Sequence, residues 1–128
     1  MKDFRKSFAI NATAEDIYAC FTNRYTIELW SGSSAMMPSE PGGEFSWFDG
    51  DITGNVIKLI PGRIVEQEWF FGKKNAPSPV KITLREKGGA TTVLIEQSGI
   101  PDDDYENITE GWEEHIIGGI ATFLNPNF

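Results

Sequence analysis

Residues 44–71 read EFSWFDGDITGNVIKLIPGRIVEQEWFF, and the way apolar and polar side chains alternate there decides the fold. Phe45 and Trp47 alternate with Glu44 and Ser46. Val65, Gln67, Trp69 and Phe71 alternate with Glu66, Glu68 and Phe70. A period of two is the mark of a strand with one face buried. Between these runs, Ile52 to Ile60 reads as another strand, with Gly54 inside it. Asp49-Gly50-Asp51 and Pro61-Gly62 supply the two turns. Strands joined by turns this short pair with their neighbours in antiparallel fashion.

The same pattern extends in both directions. Ser31 to Gly43 has loop composition and carries Met36 and Met37; Lys73 to Pro79 is a polar loop. Val80, Ile82 and Leu84 alternate with charged and hydroxyl neighbours, Gly88-Gly89 closes a hairpin, and Val93, Ile95 and Gln97 continue the alternation. Ser98-Gly-Ile-Pro101 ends that strand. At the start of the chain, Phe4, Lys6, Phe8 and Ile10 form a further strand face. Thr13 then stands where a helix cap belongs, ahead of Glu15 and Asp16 in the positive first turn. Two short helices follow, to about Thr22 and from Arg24 to Trp30, the second capped by Asn23.

Asp102 is the expected cap of the last element. From Asp103 to Leu124 the spacing turns helical, with Tyr105, Ile108, Trp112, Ile116, Gly119, Ile120 and Phe123 on one stripe. His115 falls at its edge. A helix of this length, about 30 Å, can cover one face of the meander. The reading is an α+β domain spanning residues 1–128, a curved antiparallel sheet gripping one long helix.

Composition narrows the chemistry. The chain has 128 residues, 40% of them hydrophobic, and a formal net charge of −8. All of that excess lies after Lys87, where eight carboxylates occur without a Lys or Arg. Such a balance disfavours phosphate backbones, and the basic residues are scattered, with Lys73 and Lys74 adjacent; no nucleic acid is expected as a partner. One cysteine and one histidine leave no internal disulfide, no multi-cysteine cluster and no two-histidine metal site. No glycine-rich phosphate loop is present; no metal or cofactor is expected. No stretch approaches the roughly 18 apolar residues of a membrane span. The charged start MKDFRKSFAINA is unlike a signal peptide, so a cytoplasmic location is expected.

Several motifs in order resemble a known family: Gly42-Gly43-Glu44-Phe45-Ser46-Trp47, then Gly54-Asn-Val56, Pro61-Gly-Arg63-Ile64-Val65 and Trp69, Thr91 through Gly99-Ile-Pro101, and Gly111-Trp112. The chain resembles the SRPBCC (START-like) superfamily, and within it the activators of the heat-shock protein 90 ATPase and their small bacterial homologues. That resemblance implies a helix-grip fold like the birch pollen allergen's, a six-stranded sheet wrapped around the C-terminal helix with two short helices after strand one. It also implies a cavity for a small apolar or amphipathic molecule. Trp30, Met36, Phe45, Trp47, Gln67, Trp69, Phe71, Val93, Ile95, Gln97, Trp112 and Ile116 would line it. The same aromatics serve equally as ordinary core, and Gln67 and Gln97 as internal hydrogen-bonding partners.

Three functions stay open at this point: a non-catalytic binder of a hydrophobic ligand, a chaperone-associated interaction module, and a cyclase- or hydrolase-type enzyme. No catalytic residue is assigned. His115 and Cys20 lie on different helices without a third residue to orient them. For the module, Glu110, Glu113 and Glu114 on the exposed face of the last helix form the expected docking surface, with a solvated face as the plainer reading. Gly118-Gly119 costs helix stability; Gly119 on the stripe leaves room for Trp47, Trp69 or the cavity, or marks a bend.

Overall fold

The computed structural model describes residues 1–72 and 75–125; the Lys73–Lys74 pair lies outside them. The element order is β1 (Lys2–Ile10), α1 (Ala14–Thr22), α2 (Arg24–Ser31), β2 (Glu44–Trp47), β3 (Ile52–Ile60), β4 (Ile64–Trp69), β5 (Ser78–Lys87) and β6 (Ala90–Ile100). A C-terminal helix follows as α3 (Tyr105–Glu110), a π-helical stretch (Gly111–Ile117) and α4 (Gly118–Leu124). The six strands form one antiparallel sheet in the order β1-β6-β5-β4-β3-β2. This is the α+β helix-grip architecture expected.

The registers line up one inward row after another. Phe45, Gly54, Trp69 and Ser78 stand side by side across four strands. Next to them run Val56, Gln67, Val80, Gln97 and Phe4. Apart from half-buried Phe4, these positions are buried, because the C-terminal helix and α1 cover that face. Lys6 stands on the same face but at its margin, where its ammonium reaches Glu113 of the helix.

Local chemistry starts the helices as read. The Thr13 hydroxyl accepts from the Asp16 N–H (3.2 Å), and the Asn23 side chain accepts from the Thr26 N–H (3.0 Å). Asp102 does not cap. It lies in a 3-10 turn, Asp102–Asp104, and pairs with the amino group of Met1 at 2.9 Å. That bond and that charge hold its carboxyl below the usual carboxylate range. The helix proper therefore begins at Tyr105, after the 3-10 turn.

The stripe also ends differently. Ile117 is buried, Leu124 packs against the core, and Phe123 is 38% exposed. The cause is the π stretch, where the Gly118 N–H bonds to the Glu113 carbonyl five residues back. A π turn takes in one residue more than an α turn, so every later position rotates by one place and Leu124 takes the place expected for Phe123. Gly119 does leave room, but for Trp30: a Cβ there would stand 3.0 Å from its ring.

At Gly54 the neighbouring backbone leaves no room for a side chain. A Cβ on it would lie 1.9 Å from the Glu68 carbonyl oxygen and 2.8 Å from the Phe45 ring. Gly54→Ala should therefore destabilise by about 3 kcal/mol, the upper part of the usual range for overpacking. Urea unfolding followed by tryptophan fluorescence measures this; a loss below about 1 kcal/mol would mean that the strand moves aside freely.

Candidate functional site

Strand alternation and helix spacing converge on a cluster of indoles. Trp69 of β4 and Trp112 of the C-terminal helix stack with centroids 5.0 Å apart and planes 18° from parallel. Trp47 meets Trp69 edge-on at 6.3 Å, and Phe45 and Phe21 close on Trp47 at 5.2 and 6.2 Å. Such ring pairs add about 0.5–1.5 kcal/mol each beyond the area they bury.

A buried indole N–H needs an acceptor. Trp30 donates to the Cys20 carbonyl (2.8 Å), Trp69 to Gln67 Oε1 (3.0 Å) and Trp112 to Gln97 Oε1 (2.8 Å). Gln97 Nε2 in turn donates to Ser78 Oγ (3.1 Å), whose hydroxyl donates to the Ser98 carbonyl. Both glutamines face inward, as their alternation requires. Two donors remain: Trp47 Nε1 and Gln67 Nε2 are buried with no partner among the described residues.

Beside this cluster lies a cleft of about 730 Å³. Trp69 and Ile116 are its buried lining; half-buried Phe48, Ile52 and Ile108 complete the apolar surface. Asp51, Asn107 and His115 are its exposed polar rim, and Gly111 of the π stretch opens onto it. Phe48 and Asp49 take left-handed backbone angles, φ 52° and 56°. This conformation costs a non-glycine residue roughly 1–2 kcal/mol. An edge-on contact with Trp30, 5.7 Å between centroids, holds the Phe48 ring in place.

Of the positions expected to line a cavity, Trp69 and Ile116 border the cleft. Trp30, Phe45, Trp47, Val93, Ile95 and Trp112 belong to the packed core, with Gln67 and Gln97 buried among them and Phe71 half-buried against it. Met36 stands outside, 63% exposed. Its backbone pairs with Ser46, so it extends the β2 edge while Phe45 and Trp47 point inward. The cleft residues Phe48, Asp51, Ile52, Asn107 and Gly111 escape sequence reasoning. The only signals were the stripe-edge position of His115 and Gly111 beside Trp112.

Cys20 and His115 do not form a pair. The thiol is fully buried and the imidazole is exposed at the cleft. Burial, and secondarily the charge of Asp16, pushes the Cys20 thiol up to about 12. In the unfolded chain a thiol ionises near pH 8.5. The raised folded value therefore leaves stability intact below about pH 8.5 and erodes it as pH climbs from there toward 12. Cys20 should resist a disulfide-exchange reagent in the native state and react on unfolding. Cys20→Ala should flatten the alkaline decline in urea stability; rapid native labelling would contradict this burial.

Gln97→Leu tests the polar core. It removes the acceptor for Trp112 and strands a buried indole N–H, at a cost of about 1–3 kcal/mol. Thermal unfolding of the variant measures it; an unchanged midpoint would mean that Trp112 finds another acceptor.

Comparisons with known proteins place this geometry among relatives. The family described as "Activator of Hsp90 ATPase homolog 1-like protein" matches residues 11–125. The chain is similar to the activator of 90 kDa heat shock protein ATPase homolog 1 of Mus musculus, 28% identical over 110 residues, covering 83% of this chain and 32% of that protein. It is 35% identical over 108 residues to the Dictyostelium discoideum homolog, covering 82% of this chain and 28% of that one. The crystal structure of an HSP90 activator from Plasmodium falciparum superposes with a TM-score of 0.89 at 23% identity, covering 97% of this chain and 96% of that one. This last likeness is one of fold. The chain spans about a third of the length of the curated relatives it matches.

Proposed function

The chain belongs to the activator of Hsp90 ATPase homolog 1-like family, and we propose that it is a binding module that docks on an Hsp90-type chaperone. The observation that carries this reading is the family match, which runs from the end of β1 to the end of α4. The surface fits a docking role. Glu110 and Glu114 are exposed on the helix, in a final third of the chain that holds eight carboxylates and no Lys or Arg. Opposed charge speeds encounter and sets orientation, and salt screens it.

Titration calorimetry against an Hsp90-type chaperone tests the reading. Binding is expected at low salt, weakening steeply toward 0.5 M salt and on charge reversal of Glu110, Glu113 and Glu114 together. No heat and no change in the chaperone's ATPase rate at any salt concentration would sink the proposal.

A second reading, a small apolar or amphipathic ligand held between sheet and helix, is favoured by one observation: the unpartnered donors Trp47 Nε1 and Gln67 Nε2. Acceptors on a buried ligand would satisfy them. The Trp69–Trp112 stack would have to part to admit it. Native mass spectrometry before and after organic extraction decides. An added mass that vanishes on extraction supports this reading, and a clean apo mass with no melting shift across a lipid panel removes it.

A further inference from the structure

We propose that the cleft beside Trp69 is a socket for a large apolar side chain, presented by a segment of the partner protein that carries Lys or Arg on either side of it. This rests on the chaperone-docking reading and names where on the surface that docking is anchored.

Three features converge on the cleft. Its apolar surface is made by Trp69, Ile116, Phe48, Ile52 and Ile108, and its volume is about 730 Å³. That is room for a bulky anchor, and anchors of this kind in desolvated pockets dominate binding energy at interfaces. Carboxylates stand on both sides. Asp51 is on the rim and Asp49 in the same turn; Glu110 and Glu114 are exposed on the helix that supplies the opposite wall. Glu113 is different: it points to the other flank and is taken by Lys6. Glu110 and Glu114 have no ion pair among the described residues and remain free to receive cations. An extended basic segment with one apolar anchor matches the apolar lining together with the carboxylates carried by the two walls.

Gly111 offers a clean way to close the socket. A Cβ there meets nothing within 4 Å, and its backbone is helical. Gly111→Phe should place a ring in the cleft while leaving rim charges and folding intact, since phenylalanine suits a helix better than glycine does. A wild-type melting temperature checks that.

The experiment has two arms, each read by amide shifts of the labelled protein and by affinity. The first uses the peptides acetyl-Lys-Lys-Trp-Lys-Lys-amide, acetyl-Glu-Glu-Trp-Glu-Glu-amide and acetyl-Ala-Ala-Trp-Ala-Ala-amide. The cationic peptide should move Ile52, Gly111 and His115 saturably. Its affinity should fall about tenfold in Gly111→Phe and in the Glu110→Lys/Glu114→Lys double variant, but not in Glu113→Lys. Equal binding of all three peptides would overturn the proposal in favour of a small apolar ligand, and shifts confined to other surfaces would overturn it outright. The second arm uses the Hsp90-type chaperone. Loss of binding in Gly111→Phe supports the socket. Undiminished binding overturns the socket and leaves the docking reading standing. If the chaperone fails to bind wild-type protein while the cationic peptide still seats in the cleft, the chaperone reading falls and the socket for a basic segment stands.

Discussion

The stack of Trp69 on Trp112 joins the two layers of this fold. One ring comes from the sheet and the other from the helix. A buried tryptophan removes about 150–250 Å² from water, roughly 4–6 kcal/mol at about 25 cal/mol per Å². That attraction has no direction of its own. Direction comes from the two amides that hold the indole N–H groups, Gln67 for Trp69 and Gln97 for Trp112. Both glutamines stand in one row across the sheet, with Val80 between them. The row fixes how the helix lies on the sheet, and Ser78 and the Ser98 carbonyl complete the network on one side.

Around this joint the molecule is tightly packed in some places and open in others. Gly54 lets three strands approach, and Gly119 lets α2 approach the last helix through Trp30. At the cleft the pattern reverses. The helix widens into a π turn, Gly111 presents no side chain, and Phe48 accepts a strained backbone. π turns and strained residues both gather at sites that serve something besides stability. Here they border the same cleft, whose polar rim is Asp51, Asn107 and His115.

How much of this was legible depended on the range of the interaction. The meander from β2 to β6, the turns, the caps at Thr13 and Asn23 and the inward phase of Gln67 and Gln97 all follow from neighbours within a few residues, and each is found where the residues put it; the place of β1 beside β6 does not follow from them. Asp102 departs from its expected cap because its partner is the amino group of Met1, brought there by β1 lying beside β6. Phe123 leaves the stripe because the helix is π where the spacing predicts α. The tryptophans were correctly placed inside, but periodicity carries no information on whether facing rings meet or leave a space between them.

By itself, then, the sequence determined the strands, the turns of the meander, the faces it buries and the acidic character of the last helix, since period, turn chemistry and charge are properties of the local chain. Only the tertiary structure decided that Trp69 stacks on Trp112, that Lys6 takes Glu113 and not Glu110 or Glu114, and that Phe48 and Ile52 of one hairpin face Ile108, Gly111 and Ile116 of the helix across a cleft. These residues lie dozens of positions apart. What brings them together is the closing of a curved sheet onto a helix, which sets distances that no spacing along the chain contains.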